Sequence, residues 1–358
     1  MIHLKTYNKQ ELQEFISSGD FRQYDFLPIT EHRAVSHIQN PKADSDQILL
    51  VLAFDDDQLA GYIGCMPDYF DIDGTIFRYA WLSTLFISDQ FRGKRIAQTL
   101  LHKVFEVYKG QIAVTEFTPE AEGLYNKTGV FRYLEPKIGK RYYFRTDFTQ
   151  ILPTKKPKTE PLKPVLRITD SLLNSALEVK NCFISKPSFK FEILDKVDSN
   201  SIDFISQFRT YRTKKEINWA IENPWILEGK KDSNYLFSSF SEAFTYFWIK
   251  IYDEKNRLSS CALLLVRDGH LKIPYLFAKS DLEPFINLLS YFIVQHKIIT
   301  LSSYQTELNE KITASKIFPK IHERNLERRY IFHHQLSEHL PQNFKPDYQD
   351  GDGDCMMT

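Results

Sequence analysis

The sequence predicts an α+β fold of two successive domains, each a mostly antiparallel mixed sheet flanked by helices. Three observations carry that reading. The chain is 358 residues long, enough for two cores. Its first half runs through hairpin strands, a long strand, a basic glycine turn, a helix, a short strand and a second helix. Its second half repeats that order without the turn, which is an internal repeat.

Residues 8–20 place Leu12, Phe15 and Ile16 on one helical face. Pro28 and Pro41 punctuate a loop-like stretch with a short helix inside it. His32 and His37 in that stretch are not spaced as a one-face metal pair and read as surface or loop histidines. Residues 48–54 are an apolar strand, and residues 59–66 return antiparallel to it. The aspartates between them, Asp55, Asp56 and Asp57, fit a hairpin tip, where Asp is favoured for turn geometry rather than for metal binding. A second turn with the Asp-Gly signal, Asp73-Gly74, leads into a strand over residues 77–87.

That strand ends at the most informative stretch of the chain. Leu85-Phe86-Ile87 is followed by Gln90-Phe91-Arg92-Gly93-Lys94-Arg95 and then by a helix opening at Ile96-Ala97. The first turn of a helix has N–H groups without partners, and its dipole places partial positive charge at the same end. Arg92, Lys94 and Arg95 add formal charge, and Gly93 lets the backbone come close. The arrangement is an anion cradle suited to a diphosphate. Residues 112–117 form the next strand, and Leu124-Tyr125-Asn126-Lys127-Thr128-Gly129-Val130-Phe131 closes a second helix.

This stretch resembles the GNAT superfamily of N-acetyltransferases. The family's Gln/Arg-x-x-Gly-x-Gly/Ala signature matches residues 90–95 except that Arg95 stands at the small position, and residues 121–131 resemble its second motif, with Thr118 where many members carry Asn. The resemblance covers roughly residues 45–147. It implies acetyl-CoA as acyl donor, with no metal. Backbone atoms of Leu85, Phe86 and Ile87 would pair with the pantetheine arm, and Arg92, Gly93, Lys94, Arg95, Ile96 and Ala97 would hold the diphosphate. Tyr125 would protonate the leaving thiolate, a phenol near pKa ~10 facing a thiol near ~8.5. Glu116, at the end of its strand, is the first choice of base, ahead of Asp89. The region of His32 and His37 would cover the acceptor side, the alternative reading of those two residues.

Residues 151–165 are rich in Lys and Pro and read as an interdomain linker. They separate an expected acyl-CoA-binding catalytic domain (1–150) from a degenerate GNAT-like domain (166–338). The second half carries helical patterns over 169–182 and 202–222, strands over 235–240, 244–252 and 258–267, and a strand ending at Leu276-Phe277 as the first ends at Leu85-Phe86. A helix, a strand, a helix and a terminal strand at Arg329-Tyr330-Ile331-Phe332 follow. Where the cradle would be, residues 278–284 hold no glycine and two acids, Asp281 and Glu283, which would repel a diphosphate. This half would shape the acceptor cleft, brace the two halves or make a homodimer contact. Residues 339–358 end in alternating Asp and Gly and read as a flexible acidic tail, a cleft or partner contact and a Ca²⁺ loop being the other readings.

Lys plus Arg and Asp plus Glu are each 46, so the net charge is zero, which argues against a nucleic-acid binder. The Cys65, Cys182, Cys261 and Cys355 spacings are not those of a metal site and read as free thiols. The opening residues carry no apolar signal, and no window of about 18 apolar residues suggests a membrane span, so a cytoplasmic location is expected. The function implied is acyl transfer, acetyl by family habit, to a primary amine of a small molecule or amino sugar. The alternatives are a non-catalytic ligand-binding or scaffolding protein, kept open by Arg95 and Thr118, and an aminoacyl or peptidyl transferase.

Overall fold

The structure, a computed structural model, describes residues 1–229, 234–279 and 281–358. They form two compact units. The first comprises Met1–Lys137, Lys196–Glu242 and Arg328–Thr358, the second Ile138–Asp195 and Ala243–Glu327.

The strands up to the end of the first stretch are β1 (Ile2–Tyr7), β2 (Leu50–Asp55), β3 (Gln58–Ile72), β4 (Thr75–Ile87), β5 (Ile112–Thr115) and β6 (Phe131–Tyr133). Then come β7 (Lys137–Tyr143), β8 (Phe191–Leu194), β9 (Leu227–Glu228), β10 (Phe240–Ser241), β11 (Phe244–Tyr252) and β12 (Leu258–Arg267). The last are β13 (His270–Ala278), β14 (Thr300–Ser303), β15 (His322–Arg328) and β16 (Tyr330–His333). The α-helices are α1 (Lys9–Ser18), α2 (Glu31–Ile38), α3 (Ile96–Val107), α4 (Pro119–Thr128), α5 (Phe148–Lys155) and α6 (Lys163–Asn181). They continue as α7 (Ile202–Ile205), α8 (Lys214–Glu222), α9 (Glu283–Gln295), α10 (Thr306–Ala314) and α11 (His334–His339).

In the first unit the sheet order is β1-β2-β3-β4-β5-β16-β6. The β4–β5 pair is parallel and the others are antiparallel. One face packs Ile63, Ala80, Leu82 and Val114 against Leu100, Leu101 and Val104 of α3 and Tyr125 of α4. On the other face Leu12 and Phe15 of α1 meet Leu50, Leu52, Phe54 and Tyr62. Two irregularities matter for function. The β3–β4 register slips between Tyr62↔Phe86 and Gly64↔Ser83, a bulge at which Thr84 takes φ 50°. And β4 pairs with β5 at Ala80↔Ile112 and Trp81↔Ala113, so residues 82–87 have no strand partner on that side among the described residues.

The second unit repeats the plan as β8-β11-β12-β13-β14-β7-β15. Its β13–β14 pair is parallel over His270↔Thr300 to Lys272↔Ser302 and then ends, and its β12–β13 register slips between Leu263↔Tyr275 and Leu265↔Lys272. Leu271, Ile273, Leu282, Phe285, Leu289 and Phe292 lie in its core.

The expected domain order is corrected by a strand exchange. Domains over 1–150 and 166–338 would put residues 137–143 in the first sheet and the terminal strand in the second. Instead β7 pairs with β14 in the second unit, and β16 sits between β5 and β6 in the first. Residues 196–242, expected in the second domain, belong to the first unit. Arg212 explains part of this: its Nη1 and Nη2 donate to Asp68 Oδ1 and Oδ2 at 2.9 and 2.7 Å. Lys42 Nζ reaches the same carboxylate at 2.6 Å and Trp81 Nε1 at 2.9 Å. Burial alone would raise the Asp68 carboxyl, but Arg212 and Lys42 outweigh it and hold it down at about 2.

The expected linker is largely helical, as α5, a 3-10 turn over Pro157–Leu162 and the start of α6. Pro164 lies in the first turn of α6, where an N–H would be unpaired in any case. Asp170 of α6 caps α5 by accepting the N–H groups of Phe148 and Thr149, both at 2.9 Å. The single helix expected over 202–222 is two, because Thr213 caps α8 with its side chain, in a box with Glu216. The expected flexible tail is packed instead. Tyr348, Asp350, Asp352, Cys355, Met356 and Met357 are all buried. The Asp-Gly alternation permits this: a Cβ on Gly353 would stand 3.0 Å from Thr115 Cγ2 and 3.6 Å from the Trp81 ring. No helix among the described residues is long and apolar enough to cross a membrane.

Candidate active site

A cleft of about 620 Å³ opens in the first unit along the unpaired edge of β4. Leu85, Phe86 and Ile87 form one wall, Arg92, Gly93, Arg95, Ile96 and Ala97 the turn end, and Thr118, Glu120, Ala121 and Leu124 the opposite side. Of the residues expected to hold the cofactor, Lys94 alone does not line it. Its ammonium is 2.5 Å from Asp55 Oδ2, and that contact pulls the Asp55 carboxyl below its ordinary value.

The turn is built for an anion. Gly93 takes φ 85° with open space around its Cβ direction, a conformation that favours glycine. Arg95 is the N-cap of α3 at φ 60°, ψ 20°, and gives no side-chain cap. The position where the family has a small residue is therefore a left-handed one, and this chain places an arginine there without closing the loop. The first turn of α3 holds no acid, so its free N–H groups and the dipole face the cleft uncompensated. Arg92 pairs with Asp89 at 2.8 Å, an exposed contact that a phosphate could displace. The open strand edge, the bare helix N-terminus and the two arginines fit acyl-CoA: pantetheine along residues 85–87, diphosphate on the turn.

The two expected catalytic residues do not line this cleft. Tyr125 is 4% exposed and belongs to the core, with its ring edge-on to Phe117 and Phe131 at 6.0 and 5.2 Å. Burial, helped by the charge of Asp354, pushes its hydroxyl well up. Glu116, at φ 54°, accepts from Arg328 Nε at 2.7 Å, and Arg328 Nη1 donates to the Asp350 carbonyl at 2.6 Å. Glu116 is engaged by the buried Arg328 guanidinium and lies outside the cleft lining, so the geometry does not place it as base. Asp89, the second choice, pairs with Arg92 on the exposed turn and does not line the cleft. The structure adds Gln98, Thr118 and Glu120 to the site. Thr118 caps α4 through Ala121 N–H at 3.3 Å, and the Thr-Pro start of that helix was the available signal for it.

His37, expected as a surface or loop residue, is 1% exposed on α2. Its Nδ1 lies 3.1 Å from the Cys65 carbonyl, and since a carbonyl only accepts, Nδ1 carries the proton. Burial and the nearby Arg33 charge push the imidazole down to about 3, so it is neutral.

The acetyltransferase (GNAT) family model matches residues 11–130. With the bulged and splayed strand already described, that match shows that the chain carries a GNAT domain. No curated protein sequence matches the chain. Among solved structures it is similar to a conserved protein of unknown function from Enterococcus faecalis V583, titled a probable N-acyltransferase. The identity is 10% and the TM-score 0.52, with 93% of this chain and 73% of that one covered; at that identity the likeness shows the fold. A GCN5-related N-acetyltransferase from Kribbella flavida is also similar, at 10% identity and TM-score 0.49, covering 92% and 71%. So is the Saccharomyces cerevisiae N-myristoyltransferase with bound myristoyl-CoA, at 11% identity and TM-score 0.49, covering 93% and 79%.

Proposed function

We propose that the chain is an acyl-CoA-dependent N-acyltransferase, acetyl by preference, acting on a primary amine of a small molecule or amino sugar. The observation that carries this is the continuity of the cleft: the unpaired edge of β4 runs directly to the left-handed Gly93 turn and the uncapped N-terminus of α3. Acyl-CoA in that cleft supplies a thioester, an activated acyl group with a thiol leaving group. The β4 edge offers backbone donors and acceptors for an extended amide-bearing arm, in the manner of an added strand. The α3 N–H groups with Arg92 and Arg95 fix its anionic end. The amine attacks the thioester carbon in neutral form. The N–C bond forms as the C–S bond breaks, the departing thiolate taking up a proton and the new amide nitrogen giving one up to solvent; Tyr125, the donor the resemblance implies, stands in the core beside the cleft and not in its wall.

Calorimetric titration with CoA, acetyl-CoA and myristoyl-CoA tests this reading. The expected result is micromolar binding of acetyl-CoA at one site per chain, lost by at least about 100-fold in Gly93→Glu, which combines backbone strain with a carboxylate at the diphosphate position. Absence of binding at millimolar CoA would overturn the reading. Preference for the myristoyl thioester would replace acetyl with long-chain transfer. The second reading, a ligand-binding protein without catalysis, is favoured by the engaged Glu116, and binding without thiol release in the presence of amines would establish it.

A further inference from the structure

A second polar site lies behind the cleft wall in the first unit. Phe86, which lines the cleft, contacts Tyr62 on its other side, with ring centroids 5.7 Å apart. Tyr62 is fully buried and stacks on Tyr235 at 6.3 Å. Its hydroxyl feels the charge of Arg33. Arg33 is 3% exposed, and its guanidinium carbon lies 3.6 Å from the centre of the Trp225 ring. One helical turn on, His37 stacks on the same indole at 5.2 Å and 7°.

Four polar atoms of this group have no partner among the described residues. Arg33 Nη2, His37 Nε2, Tyr62 Oη and Tyr235 Oη are all buried without a hydrogen bond, and Arg33 makes no ion pair there. Such groups are rare in native proteins and ask for an explanation. Desolvating a lone guanidinium costs more than a buried cation–π contact returns. The chain's other buried cations on this face show the contrast: Arg212 and Lys42 both close on Asp68. Arg33 thus looks like half of an ion pair.

We propose that Arg33 is the anchor for a carboxylate carried by the acceptor amine, so that the acceptor is an amino acid or a similar amino carboxylate. The fork of Arg33 suits a planar carboxylate in bidentate contact. His37 Nε2, with its proton on the other nitrogen, accepts one N–H or O–H from the same ligand. The Trp225 ring holds both side chains in place. This substrate class rests on the acyltransferase reading, whereas the anion site does not.

The test is thermal denaturation and calorimetry of the full chain with glycine, β-alanine, 4-aminobutyrate and glutamate, beside glycinamide and ethanolamine as partners without a carboxylate. Each probe is tried with and without CoA. At least one carboxylate probe is expected to raise the melting temperature saturably, while its amide or alcohol counterpart does not. Arg33→Met removes an uncompensated charge, so the ligand-free variant is expected to melt about 3 °C higher than wild type and to lose the carboxylate response by at least tenfold in affinity. Arg33→Lys, with charge but no fork, should keep a weakened response. If no carboxylate stabilises the wild type, or if ligand-free Arg33→Met melts lower, the proposal is overturned. Failure of CoA to bind would remove the acceptor role while a carboxylate response still established the anion site.

Discussion

Strands β4 and β13 are one design in two settings. Both pair in parallel for two or three residues and then part from their neighbour, and both are bulged against the preceding strand. Aligning the bulges sets Leu85 beside Pro274 and Phe86 beside Tyr275. The expected match of Leu85-Phe86 with Leu276-Phe277 is therefore two residues out, though on the same sheet face. The difference lies in what the free edge offers. Residues 84–87 are half-exposed and carry their N–H groups, whereas Tyr275 and Phe277 are fully buried and Pro274 has no N–H. The helices that follow differ in the same sense. The N-terminus of α3 is bare, while at α9 Asp281 Oδ1 accepts the Glu283 N–H at 3.1 Å and binds Lys311 at 3.2 Å. Ser280, beside it, lies outside the described residues. One unit thus keeps unmade hydrogen bonds for a ligand, and the other makes or deletes them. The bulge and splay belong to the fold; the glycine turn and the uncapped helix are what a diphosphate requires.

The largest expected effect tests how separable the units are. A fragment of residues 1–150 keeps β1 to β7 but lacks β16, which joins β5 to β6, and lacks Arg212, which pairs with Asp68. It should show no cooperative thermal transition by near-ultraviolet circular dichroism. A folded fragment would mean that β7 can take the place of β16, and that the exchange is a late convenience rather than a condition of stability.

Leu85→Pro imposes the second unit's bulge residue on the first. Removing one N–H from the binding edge should weaken acetyl-CoA by roughly 10- to 100-fold, the range for leaving a buried acceptor unsatisfied. Pro274→Leu should leave the stoichiometry at one. A second CoA site appearing in that variant would show that Pro274, rather than the acidic start of α9, closes the second unit.

Much of this was legible from residue order. The strand-turn-helix around Gly93 needs local pattern alone, and the cleft residues followed from it. The exchange of β7 and β16 was not legible, because both strands read alike, Arg141-Tyr142-Tyr143-Phe144 and Arg329-Tyr330-Ile331-Phe332, and nothing local says which sheet either joins. The packed 348–358 segment was misread because alternating Asp and Gly is also what a mobile chain looks like; here the glycines allow close approach to Trp81 and Thr115. The Arg33 site was hidden for another reason: its members, Arg33, His37, Tyr62 and Trp225, are scattered in the chain and meet only after folding.

A smaller effect separates the ionic anchoring of the first unit from the largely apolar core of the second. Asp68 ionises at about 2 in the fold against an ordinary 3.8. A depressed carboxyl contributes stability that is present above pH 3.8 and lost as pH falls toward 2, by about 2 kcal/mol for a shift of this size. His37, held near 3 against 6.5, has the same sign over the higher window, because the unfolded chain takes up the proton first. Urea denaturation of wild type and Asp68→Asn should therefore show a stability gap at pH 7 that narrows between pH 4 and 2. A gap that is constant with pH would mean that Asp68 ionises over the same range folded and unfolded, so that Arg212 and Lys42 do no more than offset its burial.

The smallest expected effect is at Tyr125, and it decides whether the first unit is a catalyst or a binder. The ring is packed by Phe117 and Phe131, so Tyr125→Phe keeps the packing and deletes the hydroxyl. If that hydroxyl protonates the leaving sulfur, turnover should fall about tenfold or more while the affinity for acetyl-CoA stays unchanged. The raised pKa sharpens the test: the phenol stays protonated through the assay range, so wild type should show no alkaline fall in rate from Tyr125 up to pH 10. An alkaline fall present in wild type and absent in Tyr125→Phe would place the hydroxyl in a wetter setting than the core seen here. Unchanged turnover in Tyr125→Phe would leave Tyr125 as a packing residue and move the search for the proton donor to Thr118 and Glu120 on the cleft wall.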